Sequence, residues 1–115
     1  ISLIKSKNIK AGIAINPDTP ISELKDIISK IDLVCLMGVH PGFAGQKFID
    51  KTLDRLKELK DLIESSNSKT LIEVDGGVKG DNYMELRSLG ADVLVAGSYI
   101  FNAEDYNKVI RKLKE

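Results

Sequence analysis

Short apolar runs alternate with helical patterns along the chain, and this alternation limits the possible fold more than any other feature of the sequence. Four runs have the length and composition of buried strands: residues 11–15, 33–39, 70–74 and 93–96. Each run is followed by a segment in which apolar residues recur at helical spacing. Strict alternation with short connections predicts an α/β fold class, with a parallel sheet and right-handed crossovers.

The helical segments carry start and stop signals. Thr19 is expected to cap the first helix with Pro20 in its first position, and Asn102 is expected to cap the last. Asp81 or Gly80 can begin the third helix, and Gly90 suits its end. The apolar faces that we expect to pack on the sheet are Ile21, Leu24, Ile27, Ile28 and Ile31; Ile49, Leu53, Leu56, Leu59 and Ile63; Met84, Leu86 and Leu89; and Tyr106, Val109, Ile110 and Leu113.

The pattern is compatible with two arrangements of the sheet: an open doubly wound sheet, or part of a (β/α)₈ TIM barrel. Four strands cannot close an eight-stranded barrel, so the second arrangement makes this chain a half-barrel. Its unpaired strand edges would favour pairing with another chain, and we therefore expect a homo-oligomer. The chain begins with Ile1 in what reads as the end of a helix, and we expect a single domain over residues 1–115 that belongs to a longer protein.

Composition excludes several classes of partner. Seventeen basic and 17 acidic side chains cancel, and aromatic residues make up 5% of the chain, which argues against nucleic-acid binding. No apolar run approaches the length of a membrane span, so no membrane partner is expected. The single cysteine, Cys35, can form no intrachain disulfide and lies in an apolar run. We therefore expect a cytoplasmic protein in which Cys35 is a small core residue.

The residues that can do chemistry follow the carboxyl ends of the predicted strands, where ligands bind in parallel α/β folds of either type. Asp75, followed by Gly76 and Gly77, is placed to act as a general base beside a backbone that binds phosphate. Gly97 and Ser98 can offer two N–H groups and a hydroxyl to the same phosphate. The alternatives are that Asp75 caps a turn and that Gly97 serves a tight turn.

A glycine-rich loop follows the second strand over residues 38–46. Its small residues, Gly42, Ala44 and Gly45, let backbone N–H groups approach an anion and permit the loop to hinge over a substrate. A long surface loop that needs positive φ angles explains the same residues. His40 is the only histidine, cannot form a metal site alone, and is expected to be an exposed loop residue. The turn at Asn16 and Pro17 is expected to be structural.

These motifs together resemble the ribulose-phosphate 3-epimerase family. The run Leu-Met-Gly-Val-His-Pro-Gly-Phe-Ala-Gly-Gln (36–46) is similar to the loop after the sixth strand of that family. Ile-Glu-Val-Asp-Gly-Gly-Val (72–78) is similar to its seventh strand, and Gly-Ala-Asp-Val-Leu-Val-Ala-Gly-Ser-Tyr-Ile-Phe (90–101) to its eighth. Ala-Gly-Ile-Ala-Ile-Asn-Pro (11–17) is similar to its fifth strand. The resemblance implies the last four β/α units of a TIM barrel.

The resemblance also implies a function. The family, which belongs to the pentose phosphate pathway, interconverts D-ribulose 5-phosphate and D-xylulose 5-phosphate through an enediolate, with proton transfer by two aspartates. Those aspartates and two histidines hold a divalent metal ion (Zn, Fe, Mn or Co). Asp75 matches the second aspartate and is expected to be catalytic and a metal ligand. The substrate and phosphate positions match Gly42, Phe43, Ala44, Gly76, Gly77, Gly97 and Ser98, and Met37 matches a pocket residue.

The chain departs from the family pattern at three loop positions and lacks one part of the catalytic set. Gly38, His40 and Ala44 differ from the usual residues, which leaves open an allulose-6-phosphate 3-epimerase or another phosphate-binding barrel enzyme. The other aspartate and both histidine ligands belong to strands that this sequence does not contain. We therefore expect the isolated chain to bind metal poorly and to be inactive. The non-enzymatic alternative is a self-associating half-barrel that binds phosphate.

Overall fold

The computed structural model describes residues 1–42 and 44–115. In this part of the chain, four parallel strands form one sheet in chain order: β1 (Gly12–Ile15), β2 (Leu33–Met37), β3 (Leu71–Asp75) and β4 (Val93–Val95). The α-helices are α1 (Ser2–Ser6), α2 (Thr52–Ser65), α3 (Tyr83–Ser88), α4 (Ser98–Phe101) and α5 (Tyr106–Lys114). The predicted α/β class and the predicted parallel sheet are confirmed.

The order of the strands distinguishes the two predicted arrangements. Each strand pairs with the next one in the chain, from β1 to β4, without the reversal of order that a doubly wound sheet shows at its ligand site. Sequential parallel strands, with the chain crossing over one face between them, form half of a (β/α)₈ barrel. The register aligns Met37 with Asp75, and Asp75 with Val95, so the carboxyl ends of three strands end at one level.

Burial differs between the two faces of the sheet. Alternate residues such as Val34, Leu36, Ile72 and Val74 are fully buried in the core that the sheet forms with the helical segments. The opposite face carries only half-buried or exposed side chains, which include Leu33, Cys35, Met37, Leu71 at 46% exposure, Glu73, Asp75 and Val95 at 37%. In this chain the second face of β2 is therefore only half-buried. In a closed barrel this second face points inward.

The helix predicted after β1, with Thr19 as its cap, is wrong in its type and in its capping residue. Two short 3₁₀ segments, Ile21–Leu24 and Ile28–Lys30, occupy this region. Pro20 is the N-cap residue of the first segment, which has no side-chain cap. The predicted apolar spacing is nevertheless real, because Ile21, Leu24, Ile28 and Ile31 are all buried. β-Branched and serine residues give this segment weak helix propensity, and the three-residue spacing of its apolar side chains suits a 3₁₀ turn.

The other helices match the prediction better, with corrected ends. Asn82 precedes α3, rather than Asp81 or Gly80. On α3 Leu86 is buried as expected, but Met84 is 70% exposed and Tyr83 takes the buried position. Gly90 follows the end of this helix with φ of 115°, as expected for a C-terminal glycine.

The last helix begins later than predicted. Asp105, not Asn102, caps α5, where its side chain accepts a hydrogen bond of 3.1 Å from the N–H of Lys108. Its apolar stripe is not buried, since Tyr106 and Ile110 are 49% and 36% exposed. The stripe lies beside β4, the last strand of an open sheet, and has only part of the surface that a closed barrel would give it.

No helix in the described ranges is long and apolar enough to cross a membrane.

Candidate functional site

A cavity of about 410 Å³ opens at the carboxyl edge of the sheet, where the register aligns the ends of β2, β3 and β4. It is lined by every predicted site residue in the described ranges: Met37, Gly42, Ala44, Asp75, Gly76, Gly77, Gly97 and Ser98. Phe43, the remaining predicted residue, lies outside the described residues. The geometry therefore brings residues from three loops into one cavity, while their individual roles stay predictions.

The close approach of the β2 and β3 ends shapes the cavity floor. The N–H of Gly38 donates a hydrogen bond of 2.7 Å to the carbonyl oxygen of Asp75. A Cβ atom at Gly38 would collide with the carbonyl oxygen of Gly76. Gly76 has a φ of 106° and would place a Cβ 2.5 Å from Cγ2 of Val39. Glycine is therefore required at both positions to let the two chain segments meet.

Gly77 continues this turn and is held by a side chain. Its φ is 70°, and a Cβ there would lie 2.8 Å from Cα of Phe48. Asn82 donates from Nδ2 to the carbonyl oxygen of Gly77 at 2.9 Å and accepts at Oδ1 from the N–H of Lys79 at 2.8 Å. The turn after Asp75 is thus fixed by backbone contacts on one side and by Asn82 on the other. Asn82 was not among the predicted site residues.

The glycine-rich loop after β2 is tied down at its base. Gly42 and Gly45 have φ of 152° and 79°, which agrees with the structural alternative for this loop, a surface loop that needs positive φ angles. The side-chain amide of Gln46 donates to the carbonyl oxygen of His40 at 2.7 Å. Nε2 of His40 lies 2.9 Å from Oδ2 of Asp18, which follows β1. His40 is exposed, as expected, but it also lines the cavity.

Asp18 connects three segments and was missed in the sequence. It contacts His40 and also accepts a hydrogen bond of 3.1 Å from Nζ of Lys51, next to the start of α2. The hydrogen bond with His40, and then that with Lys51, holds the pKa of the Asp18 carboxyl below its ordinary value of 3.8. The turn after β1, which was predicted to be purely structural, therefore holds His40 at the base of the glycine-rich loop. Its position at the carboxyl end of a neighbouring strand was the available signal.

Cys35 lies on the uncovered face of β2, two residues before Met37, and its Sγ is 3.7 Å from the Met37 sulfur. Burial first, and the nearby Glu73 carboxylate second, raise the pKa of the thiol to about 12. A thiol that stays protonated at neutral pH is a poor nucleophile. The structure supports its exclusion as a nucleophile, although Cys35 is half-buried rather than part of the packed core.

The side chains available here do not form a metal centre by themselves. Within residues 1–42 and 44–115, no three His, Cys, Asp or Glu side chains are grouped so that they could hold a metal ion. Asp75 is the only carboxylate among the described residues that line the cavity. Its carboxylate can supply one ligand, whereas a bound divalent ion needs several.

The fold and the position of the cavity define the class: this chain is part of a (β/α)₈-barrel protein with its candidate site at the carboxyl ends of the strands. Comparison with known sequences defines the family. The model of the ribulose-phosphate 3 epimerase family matches residues 1–101. The chain belongs to this family, as its motifs predicted.

Individual relatives agree with the family assignment. The chain is 51% identical over 108 residues to a ribulose-phosphate 3-epimerase of Serratia marcescens, covering 94% of this chain and 51% of that protein. It is 47% identical over 114 residues to the ribulose-phosphate 3-epimerase of Escherichia coli K12 and 46% identical over 114 residues to that of Aquifex aeolicus. Each of these alignments covers 99% of this chain and 51% of the relative. The chain therefore spans about half the length of the curated relatives that it matches.

Proposed function

We propose that this chain is part of a ribulose-phosphate 3-epimerase, a cytoplasmic isomerase that interconverts D-ribulose 5-phosphate and D-xylulose 5-phosphate. The observation that carries the proposal is the placement of one carboxylate, Asp75, in the same cavity as two glycine-containing turns at 76–77 and 97–98. A carboxylate beside an anion-binding backbone is what proton abstraction from a sugar phosphate requires. The names of the relatives support the substrate.

In this proposal Asp75 acts on one face of the substrate. The hydrogen on the carbon next to the ketone is acidic because the resulting charge spreads onto the carbonyl oxygen as an enediolate. The carboxylate of Asp75 takes or returns that proton. Inversion of the carbon also needs an acid on the opposite face, and the described cavity lining contains no second carboxylate. We infer that the second carboxylate comes from polypeptide beyond these 115 residues.

The phosphate would be bound by the backbone of Gly76, Gly77, Gly97 and Ser98 together with the hydroxyl of Ser98. Neither Gly97 nor the turn at 76–77 has a side chain that would keep an anion away from the backbone. The loop residues Gly42 and Ala44, with Phe43 between them, would cover the substrate, and Met37 would form the wall beside the enediolate. Both Met37 and Ala44 line the cavity.

We further propose that Asp75 is one ligand of a divalent metal ion whose other ligands lie outside this chain. The single cavity carboxylate supports a partial site and does not fit a complete one. The proton transfer assigned to Asp75 needs only its own carboxylate. We further propose a homo-oligomer; in the isolated chain, the unpaired edges of β1 and β4 would favour pairing with a second copy.

The test is epimerase activity of the longer protein that contains this chain, assayed on ribulose 5-phosphate beside its Asp75→Asn variant. We expect activity in the parent and a loss of about a thousandfold or more in the variant, as for removal of an acid–base group. Solvent deuterium should enter the product only when Asp75 is intact. Asp61→Asn, the same substitution on the exposed face of α2, is the matched control. No activity in a folded parent would contradict the proposal.

A six-carbon ketose phosphate is the second candidate substrate. The observation that favours it is that His40 and Ala44, two of the departures from the family pattern, both line the cavity. Comparison of kcat/KM for ribulose 5-phosphate and allulose 6-phosphate decides between them, and a preference for the second sugar would replace the pentose in the proposal.

A further inference from the structure

Among the described residues, the lining of the proposed phosphate site contains no lysine or arginine. Of the described residues that line the cavity, only His40 and Asp75 have ionisable side chains, and Asp75 is acidic. A phosphate monoester carries about −1.5 to −2 charges near neutral pH. Backbone N–H groups can solvate such an anion, but a negative carboxylate in the same cavity opposes its entry.

A second cavity of about 460 Å³ adjoins the first on the side of Ser98. The two share Gly45 and Ser98, and the second is also lined by Lys79, Tyr99, Asn102 and Ala103. Lys79 is the only charged side chain in this described lining. A phosphate bound at Ser98 would therefore lie at the boundary between an acidic cavity and one that contains a lysine.

The backbone of Lys79 is fixed relative to the phosphate-binding turn. Asn82 bridges the carbonyl oxygen of Gly77 and the N–H of Lys79. The next residue, Gly80, lies under Tyr99, since a Cβ there would be 2.6 Å from the phenolic oxygen. This contact holds the segment that carries Lys79 against the residue that follows Ser98.

The ammonium group of Lys79 is available for a ligand. The side chain is exposed, and in the part of the chain that the structure describes its Nζ takes part in no hydrogen bond or ion pair. Other lysines, such as Lys51 and Lys5, are already paired with carboxylates. Lys79 thus combines a fixed backbone, an unpaired charge and a position beside Ser98.

We propose that Lys79 is a specificity-determining residue whose ammonium group binds the phosphate of the substrate from the Ser98 side. This inference rests on the proposed function and adds a charged partner to an otherwise neutral backbone site. Its effect is to favour phosphorylated sugars over neutral ones, since only the dianion gains from the added charge.

The test is an NMR titration of the ¹⁵N-labelled 115-residue chain with inorganic phosphate and with ribulose 5-phosphate, followed at the amides of Gly97 and Ser98. Lys79→Gln removes the charge and Lys79→Arg retains it. Lys57→Gln, on the exposed surface of α2, is the control with the same change in net charge. We expect Lys79→Gln to weaken binding by about threefold to tenfold. Lys79→Arg and Lys57→Gln should bind like the wild-type chain.

Salt provides a readout that a merely structural role would not change. At about 0.5 M NaCl the difference between the wild type and Lys79→Gln should shrink, because exposed charges are then screened. Equal binding by Lys79→Gln and the wild type would overturn the inference and leave the proposed phosphate site intact, as would Lys79→Arg binding as weakly as Lys79→Gln. Absence of any phosphate-dependent shift in the wild type would overturn the inference about Lys79 together with the phosphate-binding role of Gly97 and Ser98. The epimerase function itself is tested separately, by the activity of the longer protein.

Discussion

At the scale of single residues, Cys35 shows how its surroundings set the chemistry of a side chain. It lies on the uncovered face of the sheet, yet burial and the Glu73 carboxylate raise the pKa of its thiol to about 12. Only the thiolate reacts with alkylating agents, so we predict that iodoacetamide at pH 8 modifies the folded chain on the order of a hundredfold more slowly than the urea-unfolded chain. Equal rates in the two states would contradict the shifted pKa.

The same shift makes a prediction about stability and pH. Because the folded-state pKa lies above the ordinary value of 9.0, the folded state favours the neutral thiol. The stability that Cys35 contributes is therefore fully present below about pH 8.5 and is lost as the pH rises toward 12. The free energy of unfolding should fall more steeply above pH 9 in the wild type than in Cys35→Ala. Parallel curves for the two proteins would count against this account.

Gly38 and Gly97 make a matched pair for the packing of the cavity floor. A Cβ at Gly38 would meet the Gly76 carbonyl, whereas nothing lies within 4 Å of a Cβ at Gly97. We predict that Gly38→Ala lowers the free energy of unfolding by about 1–3 kcal/mol. Gly97→Ala should change it by less than about 0.5 kcal/mol. Urea denaturation measures both, and similar losses at the two glycines would show that the close approach at Gly38 is not what limits the site.

At the scale of elements, two buried threonines distinguish a satisfied hydroxyl from an unsatisfied one. Thr70, just before β3, has its Oγ1 2.8 Å from the carbonyl oxygen of Ile28 and 3.0 Å from that of Ile31, which ties the strand to the preceding 3₁₀ segment. Thr52, the first residue of α2, is 1% exposed, and its Oγ1 has no partner among the described residues.

We predict opposite effects of the same substitution at these two sites. Thr70→Val should lower the free energy of unfolding by about 1–3 kcal/mol, because it removes the hydroxyl that the Ile28 and Ile31 carbonyls share. The Ile28 carbonyl keeps a hydrogen bond from the Ser68 hydroxyl at 3.2 Å, whereas the Ile31 carbonyl loses its side-chain donor. Thr52→Val should leave it unchanged or raise it by about 1 kcal/mol, since it removes a buried hydroxyl that gains nothing from folding. Thermal unfolding of both variants is the measurement, and a large loss at Thr52 would mean that its hydroxyl has a partner.

The strands were more predictable than the helix starts. Continuous apolar runs predicted each strand to within two residues, because strands of parallel sheets are apolar on both faces. The start of a helix depends on which of several possible capping residues is used, and Asp105 rather than Asn102 caps α5. The segment 21–31 has helical apolar spacing but forms 3₁₀ turns, a choice that spacing alone does not specify.

At the scale of the whole molecule, the candidate site was predictable because a parallel sheet places all its carboxyl ends on one edge. Asp75, Gly76, Gly97 and Met37, which are far apart in sequence, line one cavity for that reason. Contacts that depend on side-chain reach were not predictable. Asp18 meets His40 across 22 residues of chain, and nothing in the local pattern at Asp18 indicates that partner.

One face of the sheet carries exposed apolar side chains, a feature of the whole molecule that amino-acid composition does not indicate. Leu71 and Val95 lie on it beside Asp75, with open edges at β1 and β4. In a closed barrel these side chains would be internal. The proposed function therefore requires that further polypeptide cover this face and provide the second carboxylate opposite Asp75.

Reconstitution of activity from two polypeptides tests that claim most directly. The 115-residue chain and the remaining half of the parent barrel are coexpressed, their assembly is checked by mass, and epimerisation of ribulose 5-phosphate is assayed. We predict no turnover by either half alone, activity in the assembled pair, and none when the pair carries Asp75→Asn. Turnover by the 115-residue chain alone, or an assembled pair that is inactive with Asp75 intact, would contradict the account.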